Sequence, residues 1–311
     1  MSIEIYVKQV MIESQDYEVW RRDVQNTPIG IIGGSGLYQI DALEQRQEHS
    51  IETPYGQPSD ALVTGEIAGV PVVFLARHGR QHHLIPSEIP FRANIYAMKK
   101  LGVRHLLSFS AVGSLTEDLA PLDMVLPDQF IDMTRLRKNT FFGEGAVAHI
   151  SMADPTCQAL AKRFSQSARS IAENQGFKLQ TQGTYLCIEG PQFSTRAESH
   201  WYRSIGAQVI GMTNMPEARL AKEAQIAYIT LGMVTDFDCW HPKEQHVTAD
   251  YAIRNLMQNS QHAQEILLHF LQHLTEPLPE SDAHQALRAG LVTPIENLSD
   301  SWKERIDVLI G

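Results

Sequence analysis

The sequence predicts an α/β fold, in which a mixed central β-sheet is flanked by helices. Short apolar runs rich in β-branched residues alternate with helical patterns along most of the chain, as is typical of that class. Neither a break in composition nor an internal repeat divides the 311 residues, so we expect a single domain. Hydrophobic residues make up 43% of the chain, which is enough to build one sizeable core.

The two ends of the chain differ from its middle. Residues 1–28 show no clear hydrophobic period and are interpreted as an N-terminal extension. Residues 29–275 hold the alternating pattern and are predicted to form the domain. Residues 276–311 begin Pro-rich and show only a short helical pattern, so we interpret them as a C-terminal tail.

Composition argues against several classes of partner and site. The formal net charge of −10 disfavours a surface that binds nucleic acid or anionic membranes. No apolar run approaches the roughly 18 residues that a membrane span needs, and acidic residues interrupt any secretion signal in the extension. Cys157, Cys187 and Cys239 show no spacing of metal ligands or redox pairs. We therefore expect a reduced, cytoplasmic protein with no metal site, whose partners are small molecules.

The first predicted strand ends in a glycine-rich turn. In IGIIGGSGLY, residues 29–38, an apolar strand is followed by a turn in which Ser35 stands among three glycines. Such a turn can present backbone N–H groups and a hydroxyl to an anion. A dinucleotide-binding fingerprint would need a further glycine where Gln39 stands, so that alternative fails. The turn alone is only a weak indication of phosphate binding.

The second predicted strand ends in charge. PVVFLARHGRQHH, residues 71–83, is an apolar run that stops at Arg77 and His78. The planar guanidinium of arginine matches a phosphate group well. A merely solvated strand end would leave this cluster of arginines and histidines unexplained, so we favour a functional role.

The middle of the chain supplies further elements. Residues 92–102 have helical character, residues 105–115 read as a strand that ends in small polar residues, and residues 123–134 read as an extended segment broken by a proline. Residues 135–157 look like a long irregular loop that holds His149. Loops of that length are uncommon unless they are functional.

A helix and then further strand–helix units follow. Residues 153–176 form an amphipathic helical pattern with Asp154 as the expected N-cap. Residues 183–199 and 207–224 each carry a strand into a turn and then into a helix, and residues 248–275 are predicted to be the last strong helix.

The most informative strand is AYITLGMVTDFDCW, residues 227–240. Its apolar run stops at Asp236 and Asp238, and strand spacing would place these two carboxylates on one side and Phe237 on the other. Ligands of open α/β sheets bind beyond the carboxyl ends of the strands, so these carboxylates are predicted to enter a crevice. That Asp236 instead caps a following helix is an alternative that this stretch leaves open.

Together the polar strand ends predict an anion cradle and a carboxylate pair in one crevice. The residues of the expected cationic cradle are Ser35, Arg77, His78, Ser110 and Thr213. This combination suits a phosphate that attacks a sugar carrying a heterocyclic base, through an oxocarbenium-like transition state. A carboxylic acid with a raised pKa could then neutralise the leaving base.

A series of motifs in constant order resembles one family. These motifs are IIGGSGL, TPYGQPSDAL, ARHGRQH, DQFIDMT, EGPQFSTRAES, GMTNMPEA and TDFDCW. They are similar to the methylthioadenosine phosphorylase branch of the trimeric purine nucleoside phosphorylases, over about residues 29–275. The resemblance implies a purine nucleoside phosphorylase-like fold and phosphorolysis of 5′-methylthioadenosine to adenine and 5-methylthioribose 1-phosphate, in methionine and purine salvage. It also implies inorganic phosphate as co-substrate, no cofactor, and a homotrimer or a dimer of trimers.

The resemblance also implies roles for individual residues. Phosphate-binding positions of the family match Ser35, Arg77, His78, Ser110, Ala111 and Thr213, while nucleoside-binding positions match Met212, Phe193, Ser194, Asp236, Asp238, His149 and Ala249. Asp236 and Asp238 are the expected catalytic residues. Asp236 is expected to protonate or hydrogen-bond the purine N7, and Asp238 to complete the acceptors for an exocyclic amine. Ser194 together with Asp236 matches the pattern for 6-aminopurines.

Some positions depart from the family pattern. Ala249 and Ala252, followed by Ile253, stand where relatives carry valines beside the 5′-alkylthio group, which implies a wider pocket unless these positions only pack within the helix. His149 and the tail match regions that reach a neighbouring subunit's site in the family. A purine nucleoside or methylthioinosine phosphorylase is the alternative within enzymes, and a non-catalytic nucleoside-binding protein is the alternative outside them.

Overall fold

The computed structural model describes residues 27–34, 41–242 and 249–311. For residues 249–252 it describes the backbone only. Most of the N-terminal extension and Ser35 therefore lie outside the described residues. The strands are β1 (Ile29–Gly33), β2 (Glu44–His49), β3 (Leu62–Ile67), β4 (Val70–Ala76), β5 (His105–Ser114), β6 (Met124–Val125), β7 (Gln129–Asp132), β8 (Leu179–Gln180), β9 (Thr184–Cys187), β10 (Val209–Gly211) and β11 (Ala227–Asp236). The helices are α1 (Phe91–Lys100), α2 (Gln158–Gln175), α3 (Arg196–Ser204), α4 (Asn214–Glu223), α5 (Ala249–Gln272), α6 (Ala286–Gly290) and α7 (Asp300–Ile310).

The strands form one mixed sheet with β5 at its centre. The order runs β2-β3-β4-β1-β5-β10-β9-β7, and β11 pairs with the other edge of β5. β1 and β10 share one edge of β5: β1 pairs in parallel as far as Ser108, and β10 pairs antiparallel from Gly113 onwards. Where β1 and β10 diverge, the middle of β5 is left beside an opening at the carboxyl ends of β1, β4 and β11. A crevice at such a point is where α/β sheets bind ligands.

Helices cover both faces of this sheet, as the predicted α/β class requires. Buried side chains of α1 and α4 pack with one face, and those of α2 and α5 pack with the other. The predicted single α/β domain with a mixed central sheet is therefore confirmed. None of the helices in the described part of the chain combines the length and the apolar character that a membrane crossing requires.

Two local expectations were wrong. Helix α2 begins at Gln158, capped by Cys157, rather than after Asp154. The Asp154 carbonyl accepts a hydrogen bond from Lys222 Nζ. Strand β2 was not anticipated, because EQRQEH is an almost wholly exposed edge strand with no apolar face to reveal it.

The tail is more ordered than its sequence suggests. Helix α7 buries Trp302, Ile306 and Leu309, which lie on one helix face. Trp302 stacks on Phe142, with ring centroids 5.5 Å apart. The expectation that the helix over residues 248–275 is the last strong one was therefore wrong.

Candidate active site

One cavity of about 380 Å³ opens at the carboxyl ends of the strands. Ten of the residues singled out in the sequence line it: Arg77, His78, Ser110, Ala111, Phe193, Ser194, Met212, Thr213, Asp236 and Asp238. Its volume falls within the range typical of pockets for small organic ligands. Arg77 follows β4 and Asp236 ends β11, so the two lie across three strand spacings, about 14 Å. The convergence predicted from the strand ends is therefore present in the fold.

The remaining three site residues are not placed in this cavity. Ser35 lies outside the described residues, and so do the side chains of Ala249 and its neighbour Ala252. Ile253, from the same helix, lines the cavity with Leu256, which supports the expectation that this helix borders the pocket. His149 does not line the cavity: it is exposed, and its backbone N–H donates to the Gly290 carbonyl in the tail. Within one chain it is not part of the site, and its reach into a neighbouring copy stays a prediction.

Asp236 lies at the last position of β11 and is only 6% exposed. Its Oδ2 accepts a hydrogen bond from the Thr235 hydroxyl at 2.7 Å, and its Oδ1 accepts one from the Asp238 N–H at 2.8 Å. A Cβ at Gly113 would lie 3.0 Å from Oδ1, so a glycine there lets the carboxylate pack closely against β5. Asp236 therefore closes a turn at the strand end and caps no helix, which excludes the alternative that the sequence left open.

Asp238 lines the cavity, but the alternation of side chains along a strand is not what places it there. The strand has already ended, and Asp238 adopts a left-handed backbone with φ of 50°. Burial raises the pKa of Asp238 to about 6, and the neighbouring Asp236 carboxylate adds to the rise while the Ser199 hydroxyl opposes it. Burial also raises the pKa of Asp236. The raised pKa expected for an acid at this position is therefore present at both carboxyls.

The raised pKa of Asp238 predicts how stability depends on pH. Because the folded state holds the proton up to about pH 6, whereas the ordinary value is 3.8, folding stability falls as the pH rises between these values. For this group alone the fall is about 2–3 kcal/mol. We expect unfolding in denaturant to show wild-type protein losing stability relative to Asp238→Asn between these pH values and no further above them. Parallel curves for the two proteins would contradict this.

At the other part of the cavity, two hydroxyls from different segments meet. Ser110 Oγ lies 3.1 Å from Thr213 Oγ1, so β5 and the turn after β10 bring two hydroxyls together. His78 Nδ1 lies 2.9 Å from the Leu84 carbonyl, and burial lowers the pKa of His78 to about 4. At neutral pH this ring is uncharged, with its Nδ1–H donated to Leu84. The expectation of a cationic cradle was therefore wrong for His78.

Arg77 is also not the free cation that the sequence suggested. Its side chain is 1% exposed and pairs with Glu217 on α4, which is 2% exposed. Nε donates to Glu217 Oε2 at 2.7 Å and Nη2 donates to Oε1 at 3.0 Å. The planar fork expected to face phosphate is thus occupied by a carboxylate, and the pair carries no net charge.

The wall formed by Ile188, Met212 and Phe193 depends on a residue that sequence analysis missed. Arg137, buried in the irregular loop, donates to the carbonyls of Glu189 and Met212 at 2.8 and 2.7 Å. It thereby joins the segment before Phe193 to the segment that carries Met212.

Phe193 is 53% exposed at the cavity, and the Ser194 hydroxyl is buried without a hydrogen-bond partner among the described residues. An unsatisfied hydroxyl at a cavity wall is a ready contact for a polar ligand.

The position of Asp236 is supported by two asparagines that the sequence did not single out. Asn255 and Asn259 of α5 donate to the carbonyls of Thr235 and Val234 at 2.7 and 2.8 Å. Their four-residue spacing on the helix is the only sequence signal, and it could have suggested a shared polar target.

No group of three or more histidine, cysteine or acidic side chains in the described ranges could hold a metal ion. Sequence analysis overlooked His269 and His273, which stand four residues apart at the end of α5 with ring centroids 4.1 Å apart. They lie outside the cavity and supply only two of the ligands that a structural metal site uses.

Comparison with known proteins extends the resemblance over most of the chain. The family model of the phosphorylase superfamily matches residues 28–272. The S-methyl-5′-thioadenosine phosphorylase of Synechocystis sp. is 55% identical over 286 residues, covering 92% of this chain and 87% of that protein. A methylthioadenosine phosphorylase from an antarctic soil metagenomic library is 57% identical with a TM-score of 0.87, covering 92% of this chain and 100% of that chain. The enzyme of Schistosoma mansoni, solved with adenine, is 38% identical with a TM-score of 0.75, covering 79% and 91% of the two chains.

Proposed function

Because this chain belongs to the phosphorylase superfamily, and within it to the methylthioadenosine phosphorylases, we propose that it cleaves S-methyl-5′-thioadenosine with phosphate. The products are adenine and S-methyl-5-thioribose 1-phosphate, which places the enzyme in methionine and purine salvage. The observation that carries the proposal is that one cavity is lined by a buried Asp236, whose pKa is raised, and by Ser110, Thr213 and Arg77.

The chemistry follows from these groups. Phosphate, held by the hydroxyls of Ser110 and Thr213 and by Arg77, attacks the anomeric carbon of the ribose as the bond to the purine breaks. The transition state is oxocarbenium-like, so the attacking anion contributes mainly by charge and position. Asp236, whose pKa is raised by burial, donates its proton or a hydrogen bond to N7 and so neutralises the departing base. Ser35, His78 and Ala111 complete the phosphate site in this proposal.

Selection of the base follows from the same end of the cavity. Phe193 packs against the purine and Met212 against the sugar, while Ser194 and Asp238 face the exocyclic position. Acceptors placed for an amine would be left unpaired against a 6-oxo group, which favours adenine over hypoxanthine. Ile253 and Leu256 line the cavity on the α5 side, where the 5′-alkylthio group would lie.

Adenine release with and without phosphate tests the proposal. We expect methylthioadenosine to yield adenine only when phosphate is present. We expect methylthioinosine to be cleaved more slowly than methylthioadenosine. Release without phosphate would indicate a hydrolase, and no release under either condition would indicate a nucleoside-binding protein. A preference for methylthioinosine or inosine would favour the alternative purine nucleoside or methylthioinosine phosphorylase.

We further propose that the enzyme uses no cofactor, that it acts in the cytoplasm, and that it assembles as a homotrimer or a dimer of trimers. Three free cysteines support a reducing compartment. Undiminished activity after treatment with a chelator would support the absence of a metal cofactor. Light scattering across a range of protein concentrations separates the two assemblies from a monomer.

A further inference from the structure

Arg77 is held by an unusually complete set of buried acceptors. Besides the two bonds to Glu217, Nη2 donates to Ser108 Oγ at 2.6 Å and Nη1 donates to the Phe109 carbonyl at 2.9 Å. A guanidinium has five N–H donors, so four of them are used by protein groups and one N–H of Nη1 remains among the described residues. A Cβ built on Gly34 would lie 4.0 Å from Nη1, and Gly34 lines the cavity with Arg77.

Glu217 is itself fixed from several sides. Its Oε1 accepts hydrogen bonds from Ser108 Oγ at 2.6 Å and from the Tyr228 hydroxyl at 2.9 Å, in addition to Arg77. Asn214 donates to the Tyr228 hydroxyl at 2.6 Å and so locks the phenol in turn. These donors hold the Glu217 carboxylate in one orientation. Because the carboxylate binds the guanidinium of Arg77 at two points, it fixes the orientation of the guanidinium as well.

We propose that Glu217 is a positioning residue for the phosphate co-substrate, acting through its two-point ion pair with Arg77. The inference rests on the proposed phosphorolysis and gives a role to Glu217, a residue of the GMTNMPEA motif to which the resemblance assigned none. Glu217 holds the guanidinium so that the remaining Nη1–H points to phosphate beside the Ser110 and Thr213 hydroxyls. It also cancels the charge of Arg77, and His78 is neutral, so the cradle binds phosphate by directed hydrogen bonds rather than by net positive charge.

A purely structural role would predict a different outcome. If Glu217 only neutralised a buried arginine, its loss would lower stability and leave an uncompensated positive charge, so phosphate would bind the surviving fold as tightly as before or more tightly. If it positions Arg77, its loss removes an aligned donor from the phosphate site while the nucleoside contacts stay in place. The Michaelis constants of the two substrates therefore separate the two roles.

The test is Glu217→Gln, which keeps the shape of the side chain and removes its charge. We expect the KM for phosphate to rise about tenfold to a hundredfold, as for loss of an aligned hydrogen bond to an anion. The KM for methylthioadenosine should stay within about twofold, since the base contacts are untouched. The rise in melting temperature caused by phosphate should shrink in parallel, which gives a readout that does not need turnover.

Glu223→Gln is the matched control. Glu223 is a buried carboxylate on the same helix, but it accepts hydrogen bonds from Thr140 Oγ1 and the Phe141 N–H, away from the cavity. Its KM for phosphate should match that of wild-type protein even if its melting temperature falls. A KM for phosphate that is unchanged or lowered in folded Glu217→Gln would overturn the proposal.

Milder variants keep the test decisive if Glu217→Gln does not fold. Tyr228→Phe removes a hydrogen bond to Glu217 Oε1 and leaves the ion pair, so we expect a rise of about threefold in the KM for phosphate. Ser108→Ala removes a hydrogen bond to Glu217 Oε1 and also the oxygen that accepts from Arg77 Nη2, so its KM for phosphate should rise at least as much. If both variants bind phosphate as wild-type protein does, the positioning role is refuted. Wild-type protein that releases no adenine would refute the proposed reaction instead, and the melting-temperature shift would still report on Glu217.

Discussion

Asp236→Asn lowers the turnover of methylthioadenosine by about 10²–10⁴-fold while leaving the fold intact. The replacement has the same shape, and its amide oxygen can still accept the Asp238 N–H that Asp236 Oδ1 accepts at 2.8 Å. What it removes is the carboxylic acid, whose pKa burial raises and which could give a proton to the leaving base. The measurement is kcat for adenine release, alongside the melting temperature of the variant.

Two comparisons make this expectation specific. Asp132→Asn alters an Asp that pairs with Arg219 away from the cavity, and it should retain the kcat of wild-type protein. For 6-oxopurine substrates the loss in Asp236→Asn should be smaller, because an asparagine can donate to their ring and carbonyl. An equal loss on both classes of base would count against a role for Asp236 in recognising the 6-aminopurine.

Arg77→Ala damages the fold as well as the use of phosphate. Because Glu217 is 2% exposed, removing its partner leaves a buried carboxylate without a counter-charge. Breaking one half of a buried ion pair costs about 3–5 kcal/mol. We expect a marked fall in the free energy of unfolding, measured in denaturant, together with loss of phosphate-dependent activity.

A double replacement separates these two effects. Arg77→Met with Glu217→Leu removes both charges and keeps the volume apolar, which often restores the stability lost by one half of such a pair. We expect the free energy of unfolding of this double variant to lie closer to that of wild-type protein than that of Arg77→Ala does. Its turnover should still not increase when phosphate is added. Recovery of phosphate-dependent turnover would show that Arg77 has no part in the cradle.

Sequence analysis located the site because a change from apolar to polar residues marks the end of a buried strand. The apolar runs of β4 and β11 stop abruptly at Arg77 and at Asp236, and parallel strands bring such ends to one edge of a sheet. Ser110 lies farther back, in the middle of β5. The crevice was therefore predictable from local pattern together with one topological rule.

The electrostatics of the site could not be read in this way. Arg77 and Glu217 are 140 positions apart, and nothing in the helical pattern of α4 marks Glu217 as the partner of a strand-end arginine. The charge state of His78 depends on burial and on its contact with the Leu84 carbonyl, which only the folded loop creates. Residue types predicted the kind of chemistry, whereas the net charge of the cradle follows from tertiary contacts.

Packing explains the remaining differences. Five of the eleven residues of helix α7 are apolar, and one of them, Trp302, docks the tail by stacking on Phe142 of the irregular loop. Arg137 sits in a polar stretch of that same loop, where its burial and its contacts to the Met212 and Glu189 carbonyls leave no periodic signal. Both depend on long-range contacts that no local pattern encodes.

The most direct test is a crystal structure with phosphate and an uncleavable analogue of methylthioadenosine bound together. We expect the purine between Phe193 and Asp236, and the phosphate against Ser110, Thr213 and Nη1 of Arg77, on opposite sides of one ribose. A phosphate bound in a separate cavity, or a purine that does not approach Asp236, would contradict the account.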